Sequence, residues 1–181
     1  GTPLRPSGML AFAAGDTFRV GELEARVLFS PGHTLASITY VFDDVAFVHD
    51  TLMMPDSGTS RADFPGGDAR ELYHSIREIL DLPGNTALFV GHDYGKDGRE
   101  PMCMATVAQH RAENIHVKDG IDEQQFVKTR TERDATLPLP GLMLAALQVN
   151  IRGGHLPEPE HDGRSFLKVP LNYFKPVAEA A

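Results

Sequence analysis

The sequence contains a single cysteine, Cys103, so the chain cannot form an internal disulfide bond. It also lacks any apolar run near the roughly 20 residues that a membrane-spanning helix requires. No secretory or transit segment is visible at the start, which is Gly1 rather than Met. Because a chain without disulfides suits a reducing compartment, we predict a cytoplasmic protein with no membrane partner.

Positive charge is also scarce in this sequence. Lysine and arginine together number 17 against 25 aspartate and glutamate residues, which gives a formal net charge of −8. Such a chain is a poor match for nucleic acid or for an anionic membrane surface. A small anionic substrate stays possible where a few arginine or lysine side chains gather locally.

The residues that are present favour one globular domain of the α/β class. The chain has 181 residues, of which 41% are hydrophobic and 23% charged. Four alternating segments predict one antiparallel sheet, at 16–20, 23–29, 38–42 and 45–48. An amphipathic helix is predicted from its N-cap Asp68 to Pro83, followed by a buried strand at 86–90. Strand, helix and strand in this order indicate an α/β arrangement.

The second half of the chain predicts helices and a loop-rich tail. Pro101 fits the first position of a helix that we expect to run to about His116. Asp122 caps a further helix through about Arg133, with Gln125 as its reciprocal partner. We therefore predict a single domain over 1–181, in which 101–181 is the C-terminal helical and tail region.

Three predicted strands end on residues that can bind metal. His33 follows the 23–29 strand, Asp50 closes the 45–48 strand, and His92 follows the 86–90 strand. Imidazole and carboxylate together suit Zn²⁺ or Fe²⁺, and two histidines with one carboxylate are typical of non-haem iron that binds O₂. The carboxylate can also bridge two metals in a hydrolytic pair. The alternative interpretation is three unrelated polar strand ends.

A long loop follows Asp50 directly. Residues 51–67 show no periodicity and many turn formers, and a loop of this length within a compact domain is usually functional or disordered. Its position beside Asp50 favours a functional role. Arg61 in this loop either orients an acidic substrate or forms a surface ion pair with Asp63.

The sequence resembles the metallo-β-lactamase superfamily at 30–34, at the aspartate that closes 46–50, and at 91–94. This resemblance implies an αββα sandwich with metals at one edge of its two sheets. The Arg-x-Asp-Phe run at 61–64 is similar to the persulfide dioxygenase and glyoxalase II branch. The runs 130–137 and 148–152 resemble a bacterial subgroup called β-lactamase-like hydrolases, whose members act as persulfide dioxygenases.

Two features depart from the superfamily pattern. The His-x-His-x-Asp-His motif is absent, because none of the eight histidines lies two residues from another. We therefore expect the N-terminal part of the sandwich to be missing, with the chain beginning downstream of that motif. The resemblance implies that the first histidine of the motif completes an iron set with His33 and Asp50, so weak metal binding is expected. His49 stands where the family usually has glycine, and we expect no ligand role for it, since adjacent strand residues face opposite ways.

The resemblance implies two reactions, and a third interpretation stays open. In the favoured one, Fe²⁺ bound by His33, Asp50 and an upstream histidine supports oxidation of glutathione persulfide to sulfite and glutathione, with His92 beside the ligands. In the alternative, Asp50 bridges Zn²⁺ or a mixed metal pair, His92 binds the second metal, and glutathione thioesters are hydrolysed. The third interpretation is a domain without catalytic activity.

The remaining expectations concern substrate and partner. We assign catalytic roles to Asp50 and His92, and substrate-binding roles to Arg61, Tyr94 and Arg111. For Tyr94 a structural role is the alternative, and for Arg111 a solvated helix charge. The expected partner is a small thiol, and an apolar face left open by a missing half-sandwich would favour a homodimer.

Overall fold

The computed structural model describes residues 12–169. Within this range, six strands form one sheet in the order β1-β2-β3-β4-β5-β6. The strands are β1 Thr17–Val20, β2 Leu23–Phe29, β3 Ile38–Phe42, β4 Val45–His49, β5 Ala87–Val90 and β6 Met104–Thr106. The helices are α1 Ala69–Leu80, α2 Val107–Glu113, α3 Glu123–Asp134 and α4 Met143–Asn150, with a 3-10 turn at Lys96–Gly98.

The sheet is antiparallel except at one pair of strands. β1 to β4 form a meander, and its two tight hairpins, β1–β2 and β3–β4, turn at residues with positive φ, Gly21 at 60° and Asp43 at 35°. β5 lies parallel to β4, so α1 provides the crossover connection that a parallel pair requires. The strand and helix pattern predicted for residues 16–90 and the α/β class are confirmed.

The core lies between α1 and one face of the sheet. Asp68 caps α1 by accepting hydrogen bonds from the backbone N–H groups of Arg70 and Glu71. The apolar side chains of the helix then recur at helical spacing and are fully buried, at Leu72, Ile76, Ile79 and Leu80. They pack against sheet residues that include Val41, Ala46, Val48 and Leu88. This packing fixes the ends of β2, β4 and β5 relative to the start of α1.

The opposite face of the sheet carries a row of aromatic rings, which we call the aromatic face. Its members, in order across the sheet, are Phe18, Tyr40, Phe42, Phe47 and Phe89. Ring centroids of neighbours lie 5.2 Å (Phe18–Tyr40), 6.2 Å (Phe18–Phe42), 5.9 Å (Phe42–Phe47) and 5.4 Å (Phe47–Phe89) apart. Phe47 remains 46% exposed. The alternation of buried and exposed residues along β4 therefore separates an aliphatic core face from an aromatic outer face.

The prediction that a helix begins at Pro101 is wrong. Met104–Thr106 form β6, which pairs antiparallel with β5, and the helix begins only at Val107. Thr106 and Gln109 supply a capping box, which starts the helix six residues later than the proline suggested. Asp122 and Gln125 form the capping box predicted for α3.

The described residues divide into two compact units. The first extends to Leu137, and the second contains the described residues from Pro138 onward, including α4. The single domain over 1–181 stays a prediction. No helix in the described range 12–169 combines the length and hydrophobicity needed to cross a membrane.

Candidate functional site

The loop that carries His33 is hydrogen-bonded to the N-cap and to the middle of α1. The backbone N–H of Asp68 donates to the carbonyl of Gly32 at 2.9 Å, and the hydroxyl of Ser75 donates to the carbonyl of Pro31 at 2.7 Å. Gly32 has φ of 125°, and a Cβ on it would lie 2.2 Å from the backbone nitrogen of Leu72. Only glycine permits this approach, which holds His33 nearly buried, with 8% exposure.

The hydrogen bonding of His33 fixes which ring nitrogen faces the site. Its Nδ1 lies 2.7 Å from the carbonyl oxygen of Arg61. A carbonyl oxygen only accepts, so Nδ1 carries the proton and Nε2 of the neutral ring presents a lone pair. That Nε2 lies 3.9 Å from Oδ2 of Asp50.

Asp50 also meets the second predicted histidine. The Nδ1 of His92 donates to Oδ1 of Asp50 at 2.6 Å, while the side chain of His92 stays 58% exposed and that of Asp50 only 16%. Gly91 makes room for the carboxylate, because a Cβ there would lie 2.7 Å from Oδ1 of Asp50. The structure therefore brings His33, Asp50 and His92 together at the ends of β2, β4 and β5.

The chemistry of the pair His33 and Asp50 fits a cation. Two acceptors face each other across 3.9 Å, which is less than twice the ~2.1 Å bond from zinc to nitrogen or oxygen. One cation can therefore reach both atoms. Within residues 12–169 no group of three or more His, Cys, Asp or Glu side chains is arranged to hold a metal ion. The ligand set His33, Asp50 and His92 stays a prediction, and in this geometry His92 orients the carboxylate.

His49 occupies a strained position beside this cluster. Its φ is 53°, in the left-handed region where glycine is favoured, and the ladder between β4 and β5 is irregular at this point. Its ring centroid lies 6.2 Å from that of His33, and the side chain borders a cavity of about 450 Å³ together with Phe47 and Phe89. Because glycine adopts a positive φ without strain, this backbone conformation explains why glycine is expected at position 49.

The 51–67 loop is packed rather than loose, since Leu52, Met53 and Met54 are buried. Arg61 pairs with Asp63 through Nε to Oδ1 at 2.6 Å and Nη2 to Oδ2 at 2.7 Å. These hydrogen bonds hold the pKa of Asp63 below its usual value. The guanidinium of Arg61 also lies 4.8 Å from the centroid of Phe64. The substrate-binding role of Arg61 stays a prediction.

The other two predicted substrate contacts lie in different places. Tyr94 is 83% exposed, and its ring is nearly parallel to that of His92 with centroids 6.1 Å apart. Arg111 bonds to Asp119 at 3.1 Å and to the carbonyl of Leu80 at 3.5 Å. Leu80 lies about 12 Å along α1 from Leu72, the residue that contacts Gly32 beside His33, at 1.5 Å per residue. The structure thus brings Tyr94 to the cluster and not Arg111.

Sequence reasoning missed an ion-pair cluster that ties two loops together. Arg99 bonds to Asp56 in the 51–67 loop at 2.7 and 2.9 Å, and to Asp93 at 2.6 and 3.0 Å. Hydrogen bonds from Arg99 lower the pKa of Asp93, whose side chain is only 2% exposed, to about 2. This cluster anchors the residue that follows His92. The only signal in the sequence was the placement of Asp93 next to that histidine.

The buried His110 and the partly buried His116, which lie behind the loop, were also missed. The Nδ1 of His116 accepts from the backbone N–H of Thr59 at 3.0 Å, and the Nδ1 of His110 lies 3.1 Å from Nδ2 of Asn114. Burial lowers the pKa of each imidazole to about 4, and for His116 the nearby Arg130, Lys96 and Arg133 act in the same direction. Both rings are therefore neutral in the folded chain near pH 7.

Acid is expected to destabilise the fold through these two rings. Each folded pKa of about 4 lies below the unfolded value near 6.5, so between these values the unfolded chain binds protons that the folded chain does not. The contribution of the two neutral rings to the free energy of unfolding is complete above about pH 6.5 and is lost as the pH falls towards about 4. Urea unfolding at four pH values from 7.5 to 4.5 measures this loss. The variant His116→Asn should flatten the profile, whereas a change at the exposed His155 should not; equal profiles for all three would contradict the assignment.

Comparison with known proteins adds independent evidence on the family. A β-lactamase hydrolase-like protein of Xylella fastidiosa is 59% identical over 167 residues, covering 92% of this chain and 38% of the relative. The crystal structure of ETHE1 from Myxococcus xanthus matches with a TM-score of 0.71 and 34% identity, covering 80% of this chain and 60% of that one. The chain belongs to the metallo-β-lactamase superfamily. The predicted family and fold are confirmed.

Relatives within this superfamily carry different names. Glyoxylase B2 of Dictyostelium discoideum is 46% identical, covering 91% of this chain and 56% of the relative. Mitochondrial persulfide dioxygenase ETHE1 of Mus musculus is 34% identical, covering 80% of this chain and 54% of the relative. No protein-family model matches the sequence. The chain spans between about two fifths and three fifths of the length of these proteins.

Proposed function

We propose that this chain forms part of a metal-dependent enzyme site that oxidises a small thiol persulfide, with glutathione persulfide as the substrate. The reaction consumes one O₂ and one water. It breaks the sulfur–sulfur bond, oxidises the terminal sulfur to sulfite and releases glutathione as the thiol. The relatives named persulfide dioxygenase and ETHE1 support this proposal.

His33 and Asp50 would hold the cation, which we propose to be Fe²⁺. They supply one imidazole and one carboxylate of the set that non-haem iron uses with O₂. When bound, iron in such a set supplies the redox chemistry that couples O₂ to sulfur oxidation. Tyr94, exposed next to His92, is placed to contact the substrate.

The 2.6 Å hydrogen bond between His92 and Asp50 is the observation that favours a site with one metal ion over a site with two. It engages the Nδ1 proton of His92 with the carboxylate and so makes this histidine an orienting partner of a ligand. A hydrolytic metal pair would instead need His92 as a ligand of the second metal and Asp50 as a bridge. The geometry therefore favours the mononuclear dioxygenase.

Hydrolysis of glutathione thioesters is the second candidate, supported by the 46% identity to glyoxylase B2. Zn²⁺ would be the metal, lowering the pKa of water to ~7. Two assays separate the candidates: oxygen uptake with glutathione persulfide in the presence of Fe²⁺, and thiol release from a glutathione thioester in the presence of Zn²⁺. We expect oxygen uptake with glutathione persulfide and no release of thiol from the thioester. Thiol release alone would favour the hydrolase, and activity in neither assay would overturn both proposals for this chain.

A further inference from the structure

A buried ion pair on α3 contacts the 51–67 loop. Arg130 and Asp134 lie one turn apart, with side chains only 5% and 4% exposed. The Nε and Nη2 of Arg130 donate to Oδ1 of Asp134 at 3.0 and 2.6 Å. Both side chains are therefore taken out of water.

The ion pair forms hydrogen bonds with the loop backbone on both sides of Arg61. The Nη1 of Arg130 donates to the carbonyl of Thr59 at 3.1 Å. The backbone N–H of Ala62 donates to Oδ2 of Asp134 at 2.8 Å. Two backbone positions that flank Arg61 are thus fixed by charge-assisted hydrogen bonds.

The peptide between these two anchors is the one that contacts His33. The carbonyl of Arg61 accepts the Nδ1 proton of His33 at 2.7 Å. A continuous series of contacts therefore runs from the buried pair through Thr59 and Ala62 to the ring of His33 and on towards Asp50.

A buried ion pair is a poor source of stability, because removing two charges from water offsets much of their attraction. Apolar residues of similar volume often serve a core equally well or better. The pair instead determines geometry, because its nitrogen and oxygen atoms form hydrogen bonds with the loop backbone and hold it in one position.

We propose that Arg130 and Asp134 are positioning residues that hold the Arg61 carbonyl against His33, so that Nδ1 keeps its proton and Nε2 faces the cation. This inference depends on the proposed function only for the role of His33 as a ligand. The contacts themselves are independent of the reaction. A partner that fixes the tautomer of a ligand histidine typically changes metal affinity 10- to 100-fold on removal.

The test replaces both charges together, because removing one alone leaves the other buried and unpaired. The double variant Arg130→Met with Asp134→Leu deletes both contacts to the loop and keeps the apolar volume. The matched control is Lys128→Met with Glu132→Leu, an exposed pair with the same spacing on the same helix, 4.0 Å apart. Asp134→Asn, nearly the same size as the parent residue, is the second variant if the double variant does not fold.

Two measurements on the full 181-residue chain test the positioning role. Nitrogen-15 chemical shifts of the His33 ring, recorded without metal at pH 8, report which nitrogen carries the proton. Competition with a chelator gives the affinity for Zn²⁺. In the parent and the control pair we expect a single Nδ1-protonated form. In the double variant we expect a mixture of tautomers and an affinity about 10- to 100-fold lower.

The outcomes separate a positioning role from a structural one. A double variant that is folded, with the parent tautomer and the parent Zn²⁺ affinity, would overturn the proposal, as would an Nε2-protonated His33 in the parent. A change in thermal midpoint alone, in any variant, would also count against it. If the tautomer changes as expected but the parent binds no Zn²⁺, which a site of nitrogen and oxygen ligands binds more tightly than Fe²⁺, the positioning of His33 stands and the proposed function fails.

Discussion

Replacing Asp50 with asparagine is expected to lower the affinity of the chain for Fe²⁺ and Zn²⁺ by about 100-fold or more, since loss of a mere neighbour of a ligand already costs about 10- to 100-fold. The change removes the negative charge while keeping the shape of the side chain. It leaves the lone pair of His33 Nε2 facing a neutral amide across the 3.9 Å gap. Binding isotherms measured without oxygen give the two affinities.

The same substitution is expected to leave folding stability almost unchanged. His92, the hydrogen-bond partner of Asp50, is 58% exposed, so water can replace the contact. The variant Asp44→Asn is a matched control, because Asp44 lies in the turn that precedes β4, at the opposite end of that strand. An Asp50→Asn affinity within threefold of that control would contradict the assignment of Asp50 as a ligand.

Replacing Gly32 with alanine is expected to destabilise the fold by about 4 kcal/mol, from overpacking and from a backbone conformation that only glycine adopts easily. The new Cβ would lie 2.2 Å from the nitrogen of Leu72, a backbone atom that cannot move aside without shifting α1. Urea unfolding measures the loss of free energy. His33 follows directly in the chain, so metal affinity should fall as well.

Two other glycines make the experiment specific. Gly120 has φ of 95° with no atom within 4 Å of its missing Cβ, so Gly120→Ala reports backbone strain alone. At Gly84 the nearest atom would be 3.7 Å away, an ordinary contact, so Gly84→Ala reports the substitution itself. If Gly32→Ala cost no more than Gly120→Ala, close approach to Leu72 would not be the reason for glycine at this position.

Much of the fold could be predicted from local patterns. The strands up to His49 alternate in hydrophobicity, and α1 has both a capping aspartate and an apolar stripe, so each element carries its own signal. The meeting of His33, Asp50 and His92 followed from their positions at strand ends. The signals for each strand and helix are established by neighbouring residues, and the pairing of the strands then brings the three strand ends together.

What could not be predicted depends on contacts distant in sequence. β6 has three residues, too few to show a period, and it exists because β5 offers an open edge. Arg130 is surrounded in sequence by other charged residues, and only its packing against Thr59 shows that it is buried. Likewise, nothing near His92 in sequence shows that Arg99 ties the following residue, Asp93, to Asp56.

The contacts between α3 and the 51–67 loop also determine when the site can assemble. Thr59 and Arg130 are 71 residues apart, and Ala62 and Asp134 are 72 apart. During synthesis the meander and α1 can form first, but the hydrogen bonds of Arg130 and Asp134 to the 51–67 loop cannot form until residue 134 has emerged. Closing so long a loop costs entropy before any contact is gained, which makes this step slow. Maturation of the binding centre should therefore lag behind formation of the sheet in a refolding experiment.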